Sequence, residues 1–220
     1  MQTTRVWDLP TRLFHWLLAI AVIGLVVTGQ IGGNWMDWHF RLGYCVLTLL
    51  LFRLVWGFVG GHWSRFANFF YSPRTIWRYM RGQGTTEQGV GHNPLGFLSV
   101  LGLLGVTLLQ VASGLFSDDE IATTGPLSKF ASGEWVSRAS DYHTEVGKIV
   151  LLALFVLHIA AIVFYRIKRG QNLVSPMLNG DKQTPTGMPS ARDDWTSRCM
   201  ALLVFVLCAA SVTALLAWAA

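Results

Sequence analysis

Five long apolar runs constrain this chain more than any other feature. They lie near residues 12–30, 39–59, 94–116, 143–166 and 199–218. About 20 mostly apolar residues in an α-helix cross roughly 30 Å of hydrocarbon, so each run is long enough to span a bilayer. The runs are too long and too continuously apolar for barrel strands, and helices satisfy every backbone polar group internally. With 52% hydrophobic and 13% charged residues among 220, little chain is left over for a separate soluble domain. The expected fold class is an all-α integral membrane protein with five spans.

The basic residues set the orientation. With the N-terminus inside, thirteen fall on the inner side: Arg5, Arg12, Arg53, Arg65, Arg74, Arg78, Arg81, Arg166, Lys168, Arg169, Lys182, Arg192 and Arg198. Four fall outside: Arg41, Lys129, Arg138 and Lys148. The C-terminus is therefore expected outside. The first run follows Arg5 and Arg12 like a signal peptide, but Thr28-Gly29-Gln30-Ile31 is a poor cleavage site, so the run is expected to stay as an anchor. Most tryptophans fall near span ends, as interfacial anchors do. Segment 64–81, with four arginines among Phe, Tyr and Trp, is expected to lie on the inner membrane surface. Residues 170–198 read as a polar tail, with 183–198 a linker to the fifth span.

Histidines carry the chemistry. His143 and His158 lie on one apolar segment, 15 residues apart, which on an α-helix is about 22 Å of rise and about 60° of rotation. His15 and His39 open the first and second spans. Following the chain in and out of the membrane, His15 falls at the inner side with His158, and His39 at the outer side with His143. Each pair joins two different spans, as bis-imidazole ligation of a haem between helices requires. An ionisable group inside a span is costly, so His158 in particular reads as functional. Gly43 and Gly147 follow His39 and His143 at i+4, on the same helical face, and glycine there leaves room for a flat macrocycle. Ala19 and Ala161 hold similar positions near His15 and His158.

The remaining polar residues are more ambiguous. Arg41 and Arg53, beside the outer and inner ends of the second span, can neutralise haem propionates; for Arg53, snorkelling to the interface competes with that role. His92 precedes Asn93 and Pro94, which read as the N-cap and first residue of the third span. It rivals His15 as an inner ligand and is otherwise a quinone or propionate contact. His62 reads as a surface residue. Cys45, Cys199 and Cys208 all lie in or beside spans, and without a Cys-x-x-Cys-His motif there is no covalent haem attachment.

Several motifs together look familiar: Arg5-x-Trp7-Asp8-x-Pro10-Thr11-Arg12-x-Phe14-His15-Trp16 with Thr28-Gly29, His39-x-x-x-Gly43-Tyr44, Arg53-x-x-Trp56-Gly57-Phe58, Gly91-His92-Asn93-Pro94-Leu95-Gly96, and Asn172-Leu173-Val174 near Gly180-Asp181-Lys182. Over about residues 5–182 the chain resembles bacterial cytochrome b561 proteins, which include b-type cytochrome subunits of nickel–iron hydrogenases. The resemblance implies a four-helix bundle in the bacterial inner membrane holding two b haems. It implies electron passage between quinone and a periplasmic partner, a c-type cytochrome or a hydrogenase-like enzyme. The family's haem ligands carry over onto His15, His39, His143 and His158. The resemblance makes 1–182 the di-haem domain and leaves the fifth span, 199–220, as an addition. That helix is expected to pack on a partner or on another copy of the chain.

Two other functions compete with electron transfer. Superoxide oxidation at the outer haem, an enzymatic role within the family, would favour a positive outer surface. The outer residues instead carry seven acids (Asp37, Asp118, Asp119, Glu120, Glu134, Asp141, Glu145) against four bases, which better suits a basic protein partner. A haem-free subunit or metal transporter would add carboxylates or thiolates near the histidines, and the span interiors hold no Asp or Glu. Quinone is expected to react at the inner side near His15, Arg53 or His92. The segment 117–142 is the expected docking loop, and no nucleic-acid partner is expected.

Overall fold

The computed structural model describes residues 1–119, 121 and 123–220; Glu120, one of the outer acids, lies outside the described residues. In chain order the elements are β1 (Gln2–Arg5), α1 (Leu9–Ile31), α2 (Met36–Val59), α3 (Pro73–Met80), α4 (Pro94–Phe116), α5 (Gly133–Asp141), a π-helical turn (Tyr142–Gly147), α6 (Lys148–Lys168), α7 (Val174–Asn179), β2 (Asp181–Thr184) and α8 (Trp195–Ala219). Among the described residues, five helical stretches are long and apolar enough to cross a membrane: Leu9–Ile31, Gly33–Val59, Glu87–Phe116, Gly133–Lys168 and Trp195–Ala219. They coincide with the five apolar runs. The fourth starts earlier than its apolar run because α5, capped by the Ser132 hydroxyl, continues into it. The outer segment 117–142 is thus partly helical rather than a plain loop.

The chain divides into two compact units. The first comprises Met1–His15, Arg53–Gly102 and Val156–Val204. Its N-terminus is built on polar contacts. β1 pairs antiparallel with β2, Gln2 opposite Thr184 and Arg5 opposite Asp181. Asp8 then caps α1, its Oδ1 accepting from the Thr11 amide at 2.8 Å, with Pro10 in the first turn, where its missing N–H costs nothing. The segment expected to be a linker instead folds onto this end. The Asp193 carboxylate accepts from Arg5 at 2.7 Å, Arg198 at 3.1 Å and the Leu9 amide at 3.2 Å. Val6, Trp7 and Val90 are buried together, with Trp63, Met177 and Met188 packed on them. As predicted, Asn93 caps α4, its Oδ1 accepting from the Gly96 amide at 2.7 Å, and Pro94 is the first helical residue.

The second unit comprises Trp16–Phe52, Leu103–Phe155 and Phe205–Ala220. Its core is apolar and draws on five helices: Ala21 and Val22 of α1, Val46, Leu47 and Leu50 of α2, Val111 and Leu115 of α4, Leu151 of α6 and Val212 of α8. The fifth span therefore belongs to this core through Val212, and Phe205 meets Phe52 edge-on at 6.1 Å. Outward faces of the long helices stay apolar and exposed, as at Ile20, Ile23, Phe58, Val156 and Leu203. Such surface is what a chain in contact with lipid presents.

Candidate functional site

The second unit brings His39 and His143 together, their ring centroids 6.1 Å apart and their planes at 86°. His39 lies in the first turn of α2, and its Nδ1 meets the Leu25 carbonyl at 3.0 Å and the Thr28 hydroxyl at 3.3 Å. His143 lies in the π-helical turn, with Nδ1 on the Gln110 carbonyl at 2.8 Å and the Ser113 hydroxyl at 3.3 Å. A carbonyl can only accept, so each Nδ1 carries the proton and donates. In the neutral ring the Nε2 lone pair is then free for a metal.

Both rings border a cavity of about 260 Å³ whose lining includes Gly29, Gly43, Gln110 and Gly114. Gly43 faces open space, with nothing within 4 Å of where a Cβ would stand. Gly29 and Gly114 instead back the imidazoles. A Cβ at Gly114 would come within 2.7 Å of His143 Cε1, and one at Gly29 within 3.1 Å of His39 Cε1. Gln110 holds His143 twice, accepting at its main-chain oxygen and donating from Nε2 to the His143 carbonyl at 2.7 Å. Sequence reasoning gave no role to Gln110, Ser113 or Gly114. An amide side chain inside an apolar span was the readable signal for Gln110.

Two outer residues lie elsewhere than expected. Gly147 does not line the cavity; its α-carbon packs on Gln110 Oε1 and the Tyr142 ring. The i+4 expectation assumed α-helical pitch, and the wide i→i+5 turn re-phases Gly147 relative to His143. Arg41 is exposed and stacks on Trp38, its guanidinium 5.1 Å from the ring centroid, outside the cavity lining.

The first unit brings His15 and His158 together at 6.4 Å between centroids, with planes at 48°. His158 Nδ1 meets the Ser99 hydroxyl at 3.3 Å. His92 packs between Trp7 at 4.6 Å and Phe69 at 4.5 Å, and its main-chain oxygen accepts from the Tyr71 hydroxyl. Its Nδ1 is shut off from solvent. Arg53 does not snorkel: it is 3% exposed and lies over Phe66 at 4.8 Å. His62 stacks edge-on against Trp63 in a partly exposed loop.

The spacing of both pairs suits one ion between two rings. With metal–nitrogen bonds of about 2 Å and about 1 Å more from nitrogen to ring centre, opposed imidazoles stand roughly 6 Å apart by centroid. Among the described residues no three His, Cys, Asp or Glu converge as a metal cluster. Each pair offers two imidazoles, a donor set that fits an ion whose other positions a macrocycle would fill.

The family model for prokaryotic cytochrome b561 matches residues 6–180. A probable Ni/Fe-hydrogenase B-type cytochrome subunit of Bradyrhizobium diazoefficiens is 27% identical, covering 82% of this chain and 86% of its own length. The similarly named protein of Azotobacter vinelandii is 27% identical over 80% and 86% of the two chains. A probable Ni/Fe-hydrogenase 1 B-type cytochrome subunit of Escherichia coli K12 is 24% identical over 86% and 94%. No solved structure gives a significant match.

Proposed function

This chain belongs to the prokaryotic cytochrome b561 family, and from that premise we propose that it passes electrons through two b haems. One haem is held by His39 and His143, the other by His15 and His158. Membership makes the chain a multi-pass membrane b-type cytochrome with a role in transmembrane electron transfer. The observation that carries the two-haem reading is the pair of imidazole spacings, 6.1 Å and 6.4 Å.

Bound haem supplies one-electron chemistry at its iron; the chain's own residues fix where that iron sits. At the outer site, Leu25 and Gln110 orient the two imidazoles through their Nδ1 protons. Gly43 leaves space against α2, and Gly147 lets the π-helical turn close on Gln110. At the inner site Ser99 orients His158. Arg53 is the proposed counter-charge for a carboxylate of the inner haem, whereas Arg41, out on Trp38, is not placed for that role at the outer one.

The chain is proposed to lie in the bacterial inner membrane with its N-terminus cytoplasmic and its C-terminus periplasmic, on the basic-residue asymmetry. Quinone is proposed to react at the inner side, near His15, Arg53 or His92. Quinone reduction takes up protons as well as electrons. The first unit offers the Tyr79 and Tyr165 hydroxyls, 3.2 Å apart, with the Asn93 amide donating to Tyr165. The outer partner is proposed to be a hydrogenase-like enzyme, on the relatives' names, or a basic c-type cytochrome. Residues 1–182 are the proposed di-haem domain, 183–198 a connection and 199–220 an added helix. The exposed Leu202, Leu203 and Leu207 of that helix suit a partner or a second copy.

Superoxide oxidation is the weaker reading. Asp118 and Asp119 border the outer cavity with a single lysine, Lys148, and an anion would be repelled there. Haem stoichiometry on detergent-purified protein, by pyridine haemochrome with a reduced-minus-oxidised spectrum, tests the main reading. Two b haems per chain are expected. One would break the four-histidine assignment, and none, in protein made with ample haem, would overturn it.

A further inference from the structure

The first unit holds a buried cation, Arg53, with no ion pair within 4.0 Å among the described residues. Arg53 Nη1 is removed from solvent and has no hydrogen-bond partner among the described residues. Asp8, the buried carboxylate of the same unit, acts on Arg53 through space but directs its hydrogen bonds elsewhere. Its Oδ1 accepts from the Thr11 amide and Trp56 Nε1, and its Oδ2 from the Gly61 amide and the Ser64 hydroxyl. Among the described residues no ion pair within 4.0 Å joins it to Arg53. A guanidinium out of water and unpaired is costly, and only an anion removes that cost fully.

A second unmet group lies along the same chain of rings. Arg53 covers Phe66, Phe66 meets Phe69 at 5.8 Å, and Phe69 meets His92 at 4.5 Å. His92 Nδ1 is also buried without a hydrogen-bond partner among the described residues. His92 is within electrostatic range of Arg53 and of both inner histidines. Two unsatisfied nitrogens, one of them on a permanent cation, beside a site that fits a haem call for a carboxylate. A quinone carbonyl would satisfy a donor but add no negative charge beyond that of the more distant Asp8.

We infer that Arg53 and His92 together bind a propionate carboxylate of the inner haem and hold that haem at the higher reduction potential of the two. The inference rests on the two-haem reading above. Adding an electron to haem iron is easier beside a positive charge, and charge and hydrogen bonding around the iron set its potential. The outer site is built the opposite way. Its Arg41 is out on Trp38, Asp118 and Asp119 outnumber Lys148 around its cavity, and both of its imidazoles donate to main-chain carbonyls. Donation of that kind makes an imidazole more basic and favours the oxidised iron.

The test is a potentiometric titration of the full chain with both haems, followed optically. A His39→Ala protein that keeps only the inner haem assigns the two midpoints. Arg53→Gln is expected to lower the inner midpoint and leave the outer one unmoved, while Arg53→Lys stays nearer the wild type. His92→Phe, which keeps the ring packing and removes the nitrogen, is expected to lower the same midpoint by less. With haem carrying ¹³C-labelled propionates, the labelled carboxylate bands in the redox-difference infrared spectrum should shift in Arg53→Gln. Unmoved midpoints in both Arg53→Gln and His92→Phe, with two haems retained, would overturn the inference. So would a shift confined to the outer haem, or labelled bands that stay put while a quinone carbonyl band moves. If Arg53→Gln does not accumulate, His92→Phe decides by the same readouts. A wild-type protein with other than two haems would instead defeat the underlying reading.

Discussion

The outer and inner histidine pairs have nearly the same spacing but are held by different means. In the pair assigned to the outer side, His39 and His143 each donate to a main-chain carbonyl, at 3.0 Å and 2.8 Å, and glycines back both rings. In the pair assigned to the inner side, His158 meets a serine hydroxyl at 3.3 Å, and the surrounding unit carries a buried arginine. A carbonyl within a helix is fixed by that helix, whereas a hydroxyl rotates to suit its partner. The orientation of His39 and His143 is therefore set by the backbone, and that of His158 by a side chain. This is a difference in how each site tolerates change.

The largest expected effect breaks the symmetry between the pairs outright. His158→Ala should lose one haem and block electron transfer across the membrane while the chain still inserts. His143→Ala should lose the other, leaving a different reduced-minus-oxidised spectrum. Identical residual spectra from the two variants would show that the four histidines do not divide as proposed. Gly114→Ala should approach the effect of His143→Ala, because its new methyl would meet His143 Cε1 at 2.7 Å. Gly43→Leu sharpens the point, since nothing lies within 4 Å of its Cβ position. It should leave the haem-free protein intact and reduce occupancy of the outer site alone, measured by haem content against protein yield.

Gln110→Leu comes next. It removes the donor to the part-buried His143 carbonyl, a loss of about 1 kcal/mol. Thermal unfolding should fall accordingly, and the outer haem should exchange faster than the inner one. Equal exchange from both sites would mean that Gln110 does not position His143.

These contrasts also mark what was legible in the sequence. The five spans were, because hydropathy over 20 residues is a local property. The pairing of His15 with His158 and His39 with His143 was, because depth follows from span order. The π-helical turn was not: it is satisfied by Gln110, more than thirty positions earlier in the chain, so nothing within residues 142–147 announces it. Arg53 was half legible, its place on the second span readable but not its burial under Phe66. The β1–β2 pairing was illegible, since two four-residue polar strands about 180 positions apart carry no periodicity. Asp193 sat in a stretch that composition marks as linker, and its arginine partners lie at both ends of the sequence.

The ionic contrast between the units gives a pH prediction of smaller size. Asp193, at 6% side-chain exposure, gathers Arg5, Arg12 and Arg198, whereas the second unit offers only the exposed Arg138–Glu134 pair among the described residues. Burial by itself would raise the Asp193 carboxyl. Hydrogen bonds from Arg198, the Leu9 amide and Arg5 outweigh it and hold the group below the usual carboxylate range. A depressed folded-state pKa contributes stability above the unfolded value and loses it as pH falls through the folded one. Acidification should therefore loosen the β1–β2 end before the outer site, seen as faster amide exchange over residues 2–9 with the outer haem spectrum unchanged. Asp193→Asn should show that faster exchange already at neutral pH and lose most of the acid dependence.

Ser99→Ala carries the smallest expected effect and tests the inner pair most finely. The Ser99 hydroxyl and His158 Nδ1 are 3.3 Å apart, longer than a strong hydrogen bond. Removing it should cost at most about 1 kcal/mol and leave both haems bound. The ring of His158 would then be steered by packing and by its iron, so the inner midpoint should move slightly and the outer one not at all. The matching outer change, Ser113→Ala, deletes a contact of the same length to His143 Nδ1. There the Gln110 carbonyl at 2.8 Å still holds the proton, so this variant should be silent in both midpoints. A shift in Ser113→Ala as large as in Ser99→Ala would mean that the outer imidazole depends on side chains too. The distinction between a backbone-set site and a side-chain-set one would then collapse.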